Sequence, residues 1–341
     1  MNLKSTDQPP YTITPEILNQ VAAISEAVGR LTVLADQAKA LRLRRVNRVR
    51  TIHGSLAIEG NTLSQGQITA ILEGRPVIAP PREVLEVKNA LSVYDRFHVL
   101  RPTSEKHLLE AHRILMSGLV EEAGKYRRGG VGVMAGRAVI HMAPQADRVS
   151  MLMGKLFKWL AITDVHPLIA SSVFHYEFEF IHPFADGNGR MGRLWQSLIL
   201  SRWNPLFADI PVESLIFDNQ AEYYQALQVS TEQTDSAPFI AFMLKMILAA
   251  VQSPTPEVAP EVTPEVRLLS VLNGEMTRRE LKEALGLKDD EHFRKAWLMP
   301  ALEAGWIEMT VPDKPQSSRQ RYRLTGKGRN RMMPGDIKPL I

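Results

Sequence analysis

The sequence predicts a mainly α-helical protein with one inserted β-hairpin and a small α+β module at its C-terminal end. Three observations carry this. Apolar residues recur at helical spacing over most of the first 250 positions. Between 131 and 142 that pattern gives way to Val131, Val133, Val139 and Ile140 around Ala135-Gly136-Arg137, just after Gly129 and Gly130, which is the alternation and turn of a hairpin. Beyond a proline-rich stretch, short helical segments are followed by two strand-like runs.

Taken in order, the first dozen residues read as disordered or extended. Helical periodicity starts near Pro15 and runs past Arg50, carrying the basic cluster Arg42, Arg44, Arg45, Arg48 and Arg50 as a solvated face or an anion-binding surface. Residues 83 to 123 give two helices separated at Pro102. After the hairpin, helix resumes at Asp147 and runs through Leu160. Helices then flank residues 182–193 on both sides and recur near 219–233 and 236–251. Prolines at 254, 256, 260 and 264, with Pro-Glu-Val three times, predict a stiff extended linker over 252–266. Three short helices (265–273, 277–285, 289–304) and two strands (306–311, 320–324) follow, an order that resembles a winged helix.

Bulk composition bounds the rest. With 341 residues, 45% hydrophobic and 23% charged, the chain can bury a sizeable core and suggests about two domains. The absence of cysteine excludes disulfides, thiolate metal sites and a cysteine nucleophile, and fits a reducing compartment. The polar start, with Pro9 and Pro10 ahead of any apolar run, does not read as a secretory signal. The longest apolar stretch, Phe239 to Val251, is too short to span a bilayer and contains Lys245. A cytoplasmic protein without membrane contact is expected. The formal net charge of +4 is compatible with a phosphorylated ligand but does not require one.

The most informative run is His182 to Arg193, H-P-F-A-D-G-N-G-R-M-G-R. It lies between two helices, so it reads as a loop that ends at a helix start, where free N–H groups and the positive dipole end favour a phosphate. Gly187 and Gly189 let the backbone come close to an anion. An imidazole has a suitable pKa to take a proton from a hydroxyl, and arginine pairs two phosphate oxygens at once.

This run resembles the signature of the Fic family, H-x-F-x-[DE]-G-N-G-R-x-x-R, with no departure at any defined position. The resemblance covers roughly residues 50–250 and implies a Fic-type helical bundle with a hairpin flap. It implies transfer of AMP from ATP to a protein hydroxyl. In that picture His182 is the base and Asp186 holds Mg²⁺. Gly187, Asn188 and Gly189 cradle the anion, with Asn188 donating its side-chain amide, and Arg190 and Arg193 grip the outer phosphates. Phe184 belongs to the same nucleotide loop, its ring expected to anchor it in the core.

Ser55 to Asn61, S-L-A-I-E-G-N, is similar to the family's inhibitory motif, which implies that Glu59 reaches Arg193 and keeps it from ATP. The hairpin occupies the position of the family's flap, where a target protein segment would dock along Val139, Ile140 and His141. Asn219 to Leu227 resembles the nucleotide-side helix, with Tyr224 against the adenine. Thr231 departs from the Asn found there in some relatives. The expected divisions are 1–80 (N-terminal helical region with the inhibitory motif), 81–251 (catalytic core), 252–266 (linker) and 267–341 (winged-helix-like module).

From Arg278 onward fourteen Lys/Arg face nine Asp/Glu, and Lys314, Arg319, Arg321 and Arg323 form a basic wing suited to phosphate backbone. An autoinhibited adenylyltransferase is therefore the expected function, with a hydrolase removing AMP through the same site, or a nucleotide-sensing DNA-binding regulator, as alternatives. A target protein, a second copy of the chain and DNA are the partners these readings allow.

Overall fold

The computed structural model describes residues 8–34, 37–135, 138–253, 264–287, 289–314, 317 and 319–331. At 32–34, 37–43, 132–135, 138–141, 264–267, 292, 295–296 and 330–331 it describes the backbone alone. The chain forms two compact units, 1–254 and 255–341.

The first unit is helical: α1 (Pro15–Leu34), α2 (Gln37–Ile58), α3 (Gln65–Leu72), α4 (Pro81–Asp95) and α5 (Glu105–Leu115) precede a hairpin of β1 (Gly132–Ala135) and β2 (Ala138–Met142). Then come α6 (Val149–Ile162), α7 (Pro167–Ile181), α8 (Asn188–Trp203), α9 (Val212–Asp218), α10 (Gln220–Gln233) and α11 (Ala237–Gln252). The mainly helical fold with one hairpin is thus as expected from the sequence. Of the residues before α1, the described ones (8–14) form no helix or strand, and Thr12 ties them down by donating from both its N–H and its hydroxyl to Asp235.

Helix α7 is the centre of the bundle. Twelve of its fifteen residues are buried, from Leu168 to Ile181, so its sequence is apolar or small on nearly every side. Pro167 opens it at a position that needs no N–H, and His166 accepts from Leu168 N–H. It packs on α8 and α11, while α2 packs on α9. The α2–α9 approach requires Gly54, because a Cβ there would lie 2.7 Å from the backbone of Glu213 and Ser214. Helix α3 was not anticipated. Its signal is a capping box in which Ser64 and Gln67 each satisfy the other's backbone N–H.

Three side chains of the basic cluster on α2 are engaged by carboxylates. Arg44, Arg45 and Arg48 face Asp209, Glu73 and Asp95.

The second unit has α12 (Pro264–Val271), α13 (Arg278–Ala284), α14 (Asp290–Phe293), a π-helical turn over Arg294–Leu298, α15 (Met299–Glu303), an antiparallel pair β3 (Ile307–Met309) and β4 (Tyr322–Leu324), and α16 (Gly326–Arg331). The helices followed by an antiparallel strand pair keep the order expected from the sequence, and a further bridge joins Met276 to Tyr322. Its own core gathers Leu268, Leu281, Phe293, Trp297 and Ile307.

Of the expected linker 252–266, Gln252 ends α11 and residues 264–266 form the first turn of α12, while residues 254–263 lie outside the described ones. Part of the expected basic wing is engaged within this unit. Arg323 pairs with Glu308 at 2.7 Å and Glu275 at 3.3 Å, and Arg321 donates to the Glu275 carbonyl. Arg323 and Glu308 are direct cross-strand partners, which explains their pairing, while the neutral carbonyl leaves the charge of Arg321 in place.

Candidate active site

The loop between α7 and α8 gathers the chemistry. His182 is the C-cap of α7 and has φ +49°, a left-handed backbone unusual for a residue with a side chain. That turn ends the helix and swings the imidazole out of the α7 stack. Its Nδ1 lies 3.3 Å from the Glu179 carbonyl and 3.8 Å from the Glu179 carboxylate. A hydrogen on Nδ1 would leave Nε2 free to accept a proton.

Glu179 is buried. Burial alone would raise its pKa, but His175, 3.7 Å away, together with the charges of His182 and Arg193, holds it below the usual carboxylate value. The spacing His175, Glu179, His182 puts these three groups on one helical face, a signal legible in the sequence but passed over.

Asn188 begins α8, and Gly187 caps it without a side-chain hydrogen bond. The first N–H groups of α8 therefore have no helical acceptor and point outward. Met116 crowds Gly187, whose φ is +85°, and Gly189 sits against Glu59 and Arg193. Side chains at either glycine would fill the turn that an anion would use. The Asn188 expectation is corrected: its Oδ1 accepts from Phe184 N–H and its Nδ2 donates to Phe184 C=O, both at 2.9 Å. The amide staples the loop, because a buried turn must satisfy its own backbone. Phe184 is likewise an anchor and not a ligand contact. It is fully buried and stacks on His112 with centroids 3.6 Å apart.

His112 was also missed. It accepts from Gly124 N–H on Nδ1 and faces the Asp186 carbonyl with Nε2 at 3.0 Å, so both ring nitrogens brace the loop. Burial lowers its pKa to about 4, which keeps it the neutral donor to Asp186.

The Asp186 carboxylate is partly exposed and accepts from Gly187 N–H and from Arg190, with Arg82 3.7 Å from its other oxygen. Arg190 also faces Glu86 at 3.6 Å, and its buried Nε finds no acceptor among the described residues. Arg193 is deeply buried. It donates to Ser55 Oγ at 3.2 Å, to the Ser55 carbonyl at 2.9 Å and to Glu59 Oε1 at 2.7 Å. Burial works against its charge, but Glu59, Tyr223 and Glu179 more than offset this and raise its pKa.

Thus the structure brings Ser55 of α2 and Glu59, in the turn just after it, onto Arg193 of α8. Tyr224 is half-buried on α10, packed edge-on against Tyr223 at 5.4 Å. The Thr231 hydroxyl donates to the Leu227 carbonyl and lies 3.2 Å from Tyr176 Oη.

The hairpin pairs Gly132 with Met142 and Val133 with His141, with a register shift at Val133/Met134. Val139, Ile140 and His141 all lie in β2, and the sheet has two strands among the described residues. Its feet are held by Arg127, which no sequence pattern singled out. Arg127 is buried and donates from Nε to the His182 carbonyl at 2.7 Å, from Nη1 to Gly129 at 2.8 Å, and from Nη2 to Pro144 at 2.5 Å and Ile181 at 3.3 Å. Its own N–H donates to Pro183.

Comparison with known proteins agrees with this geometry. Residues 102–200 match the Fic/DOC family, and residues 264–325 match the C-terminal domain of Fic-like (filamentation induced by cAMP) proteins. A solved Fic family protein from Desulfovibrio desulfuricans G20 is 52% identical, superposes with a TM-score of 0.73, and is covered over 99% of its length by 94% of this chain. The chain belongs to the Fic family. Fic-1 (residues 134–508) from C. elegans is 25% identical, with a TM-score of 0.59 over 69% of this chain and 71% of that one.

Curated Fic relatives include the protein adenylyltransferase Fic of Nematostella vectensis, 31% identical over 206 residues, which are 57% of this chain and 45% of that protein. That of Aedes aegypti is 32% identical over 226 residues, 62% of this chain and 43% of that protein. The chain spans less than half the length of these curated relatives. The Fic motif, the hairpin and the Glu59–Arg193 pair all lie in the first unit. No described helix is long and apolar enough to cross a membrane.

Proposed function

We propose that this chain transfers AMP from ATP to a hydroxyl of a target protein, and that Glu59 restrains the reaction. One observation carries the reading. A single loop presents a cap-position imidazole at one end and an uncapped helix N-terminus with two buried arginines at the other. Relatives named protein adenylyltransferase support the reaction class.

In this mechanism a Ser, Thr or Tyr hydroxyl of the target lies along the hairpin edge. His182 Nε2 takes its proton as the oxygen attacks the α-phosphorus. The bond to pyrophosphate breaks, and its electrons leave with that group. The N–H groups at the start of α8 hold the phosphate chain, and Arg190 and Arg193 neutralise its outer oxygens. Glu59 now occupies Arg193, so a carboxylate sits where a phosphate oxygen would bind and repels it.

The residues present fit Mg²⁺ only jointly with phosphate. Among the described residues no three His, Asp or Glu side chains gather around one point. One partly exposed carboxylate, Asp186, is what Mg²⁺ commonly takes from a protein when a substrate's phosphates supply other ligands. Asp186 would hold the ion, which would offset charge on the phosphates.

A second reading, hydrolytic removal of AMP, draws support from Glu59 itself. Its Oε1 meets Arg193, while the side chain stays 31% exposed and Oε2 has no partner among the described residues, leaving an oxygen to orient water. Labelled ATP with Mg²⁺ and the Glu59→Gly protein tests the first reading, since no labelled protein in a lysate or in the enzyme itself would refute it. Wild type incubated with an AMP-modified protein tests the second.

A further inference from the structure

We propose that Arg127 is a positioning residue that fixes the distance between the docked target segment and the His182 imidazole. The inference rests on the reading of His182 as base and of the hairpin as docking edge. It concerns a residue outside the signature, the inhibitory motif and the hairpin strands.

The geometry is specific. The guanidinium reaches four carbonyls in two sets: Ile181 and His182 at the end of α7, and Gly129 and Pro144 at the two feet of the hairpin. Gly129 lies three residues before β1 begins and Pro144 two residues after β2 ends. Ala143 N–H also donates to Val131, closing the hairpin above the staple. With Arg127 N–H on Pro183, the carbonyls of 181, 182 and 183 all receive from this one residue.

The chemistry explains why arginine is needed. Every acceptor is a neutral carbonyl, and no carboxylate pairs with Arg127 among the described residues. A buried cation is tolerated here because several aligned carbonyl dipoles face it, two of them at the negative end of α7. A lysine ammonium has three donors that diverge from one nitrogen and cannot meet four carbonyls set around the rim of a planar fork. The His182 peptide is also where the chain turns left-handed. Holding its carbonyl sets the plane of that peptide, and with it the direction of the ring. One rigid fork therefore ties the base to the edge on which its substrate would lie. Small errors in such a distance cost rate steeply, whereas the phosphate site on α8 does not touch Arg127.

The test uses the full chain carrying Glu59→Gly, with Arg127→Lys and Arg127→Ala added. Nucleotide affinity, transfer to protein acceptors and amide hydrogen exchange are measured. Transfer should fall at least about tenfold in kcat with ATP affinity changed less than about threefold. Low millimolar guanidinium should restore part of the lost rate to Arg127→Ala. Exchange should quicken together at 129–144 and 182–184 and stay unchanged in α8. Unaltered transfer in Arg127→Lys, or a loss of ATP affinity in step with transfer, overturns the proposal. Should the Glu59→Gly parent transfer nothing, the adenylyltransferase reading fails. The exchange pattern then decides whether Arg127 joins hairpin and loop, and independent exchange of the two segments refutes it.

Discussion

Arg193 and Glu59 lie 134 residues apart in sequence and 2.7 Å apart in space. The guanidinium is buried, while the carboxylate remains about a third exposed. Each needs the other unequally. Glu59 can return to water, but Arg193 would be left as a buried charge with only the Ser55 oxygens.

The first prediction follows from that asymmetry. Breaking a fully buried pair costs about 3–5 kcal/mol, and the exposure of Glu59 together with the Ser55 acceptors reduces this to about 2 kcal/mol. Glu59→Gly should therefore lower the thermal midpoint of the first unit by roughly 4–8 °C without nucleotide. ATP should raise the midpoint more in the variant than in wild type, because its phosphates replace the missing carboxylate. Calorimetry with and without ATP checks this, and an equal ATP effect in both proteins would separate Glu59 from the nucleotide site.

His182→Ala, made in the Glu59→Gly protein, should abolish most transfer, by roughly a hundred- to ten-thousandfold. ATP affinity should hold, since the phosphate contacts lie on α8. A filter-binding measurement beside a labelled-AMP assay distinguishes loss of the base from collapse of the loop.

How much of this was legible in the sequence divides along physical lines. Helices with one-sided apolar spacing were readable because burial dictates period, and the Fic string was readable because one short loop must satisfy an anion, a base and a turn together. Asn188 was misread. Its type suited an anion donor, but only the folded loop reveals that the Phe184 backbone needs both ends of its amide. Arg127 and His112 were invisible for a similar reason. Their partners are main-chain carbonyl and amide groups distant in sequence, and carbonyls carry no residue identity to read. Helix α3 was overlooked although its capping box was written out at Ser64 and Gln67. The charge of the wing is lower than its arginines suggest because Arg323 meets the carboxylates of Glu308 and Glu275.

Glu213 supplies a prediction about pH. It is fully buried against α2, accepts from the Ser197 hydroxyl at 2.8 Å, and burial raises its pKa to about 7. Ser197, Thr51 and the Arg193 charge pull the other way without prevailing. The folded state thus keeps a proton between about pH 4.5 and 7 that the unfolded chain has released, so stability from this group is present at low pH and is lost as pH rises through that window. Glu213→Gln should remove that loss and stabilise the protein above pH 7 by up to about 3 kcal/mol. Glu177, which burial also raises to about 7, contributes the same slope to both proteins and cancels in the difference. Denaturant unfolding of the two proteins from pH 5 to 8 measures it, and parallel curves would show that Glu213 is charged at neutrality.

Gly189→Ala sets two effects against each other. An added Cβ would collide with Glu59 Oε1 and lie 3.0 Å from Arg193 Nη1. Glu59 is the flexible partner, so it should yield and loosen its hold on Arg193. Taken alone, that predicts activation. The same methyl, however, would stand over the first turn of α8, where the phosphates are proposed to lie, and a bound nucleotide cannot move aside as a side chain can. Gly189 has an ordinary helical backbone, so alanine also gains up to about 1 kcal/mol of helix propensity, which masks the lost pair in a melting curve. Stability is therefore the wrong readout and activity the right one. Gly189→Ala should stay silent in the otherwise wild-type chain and should cut transfer at least about tenfold in the Glu59→Gly protein, with weaker ATP binding in both. A Gly189→Ala protein more active than wild type would mean that ATP does not rest on this turn, and the site would have to be sought elsewhere along α8.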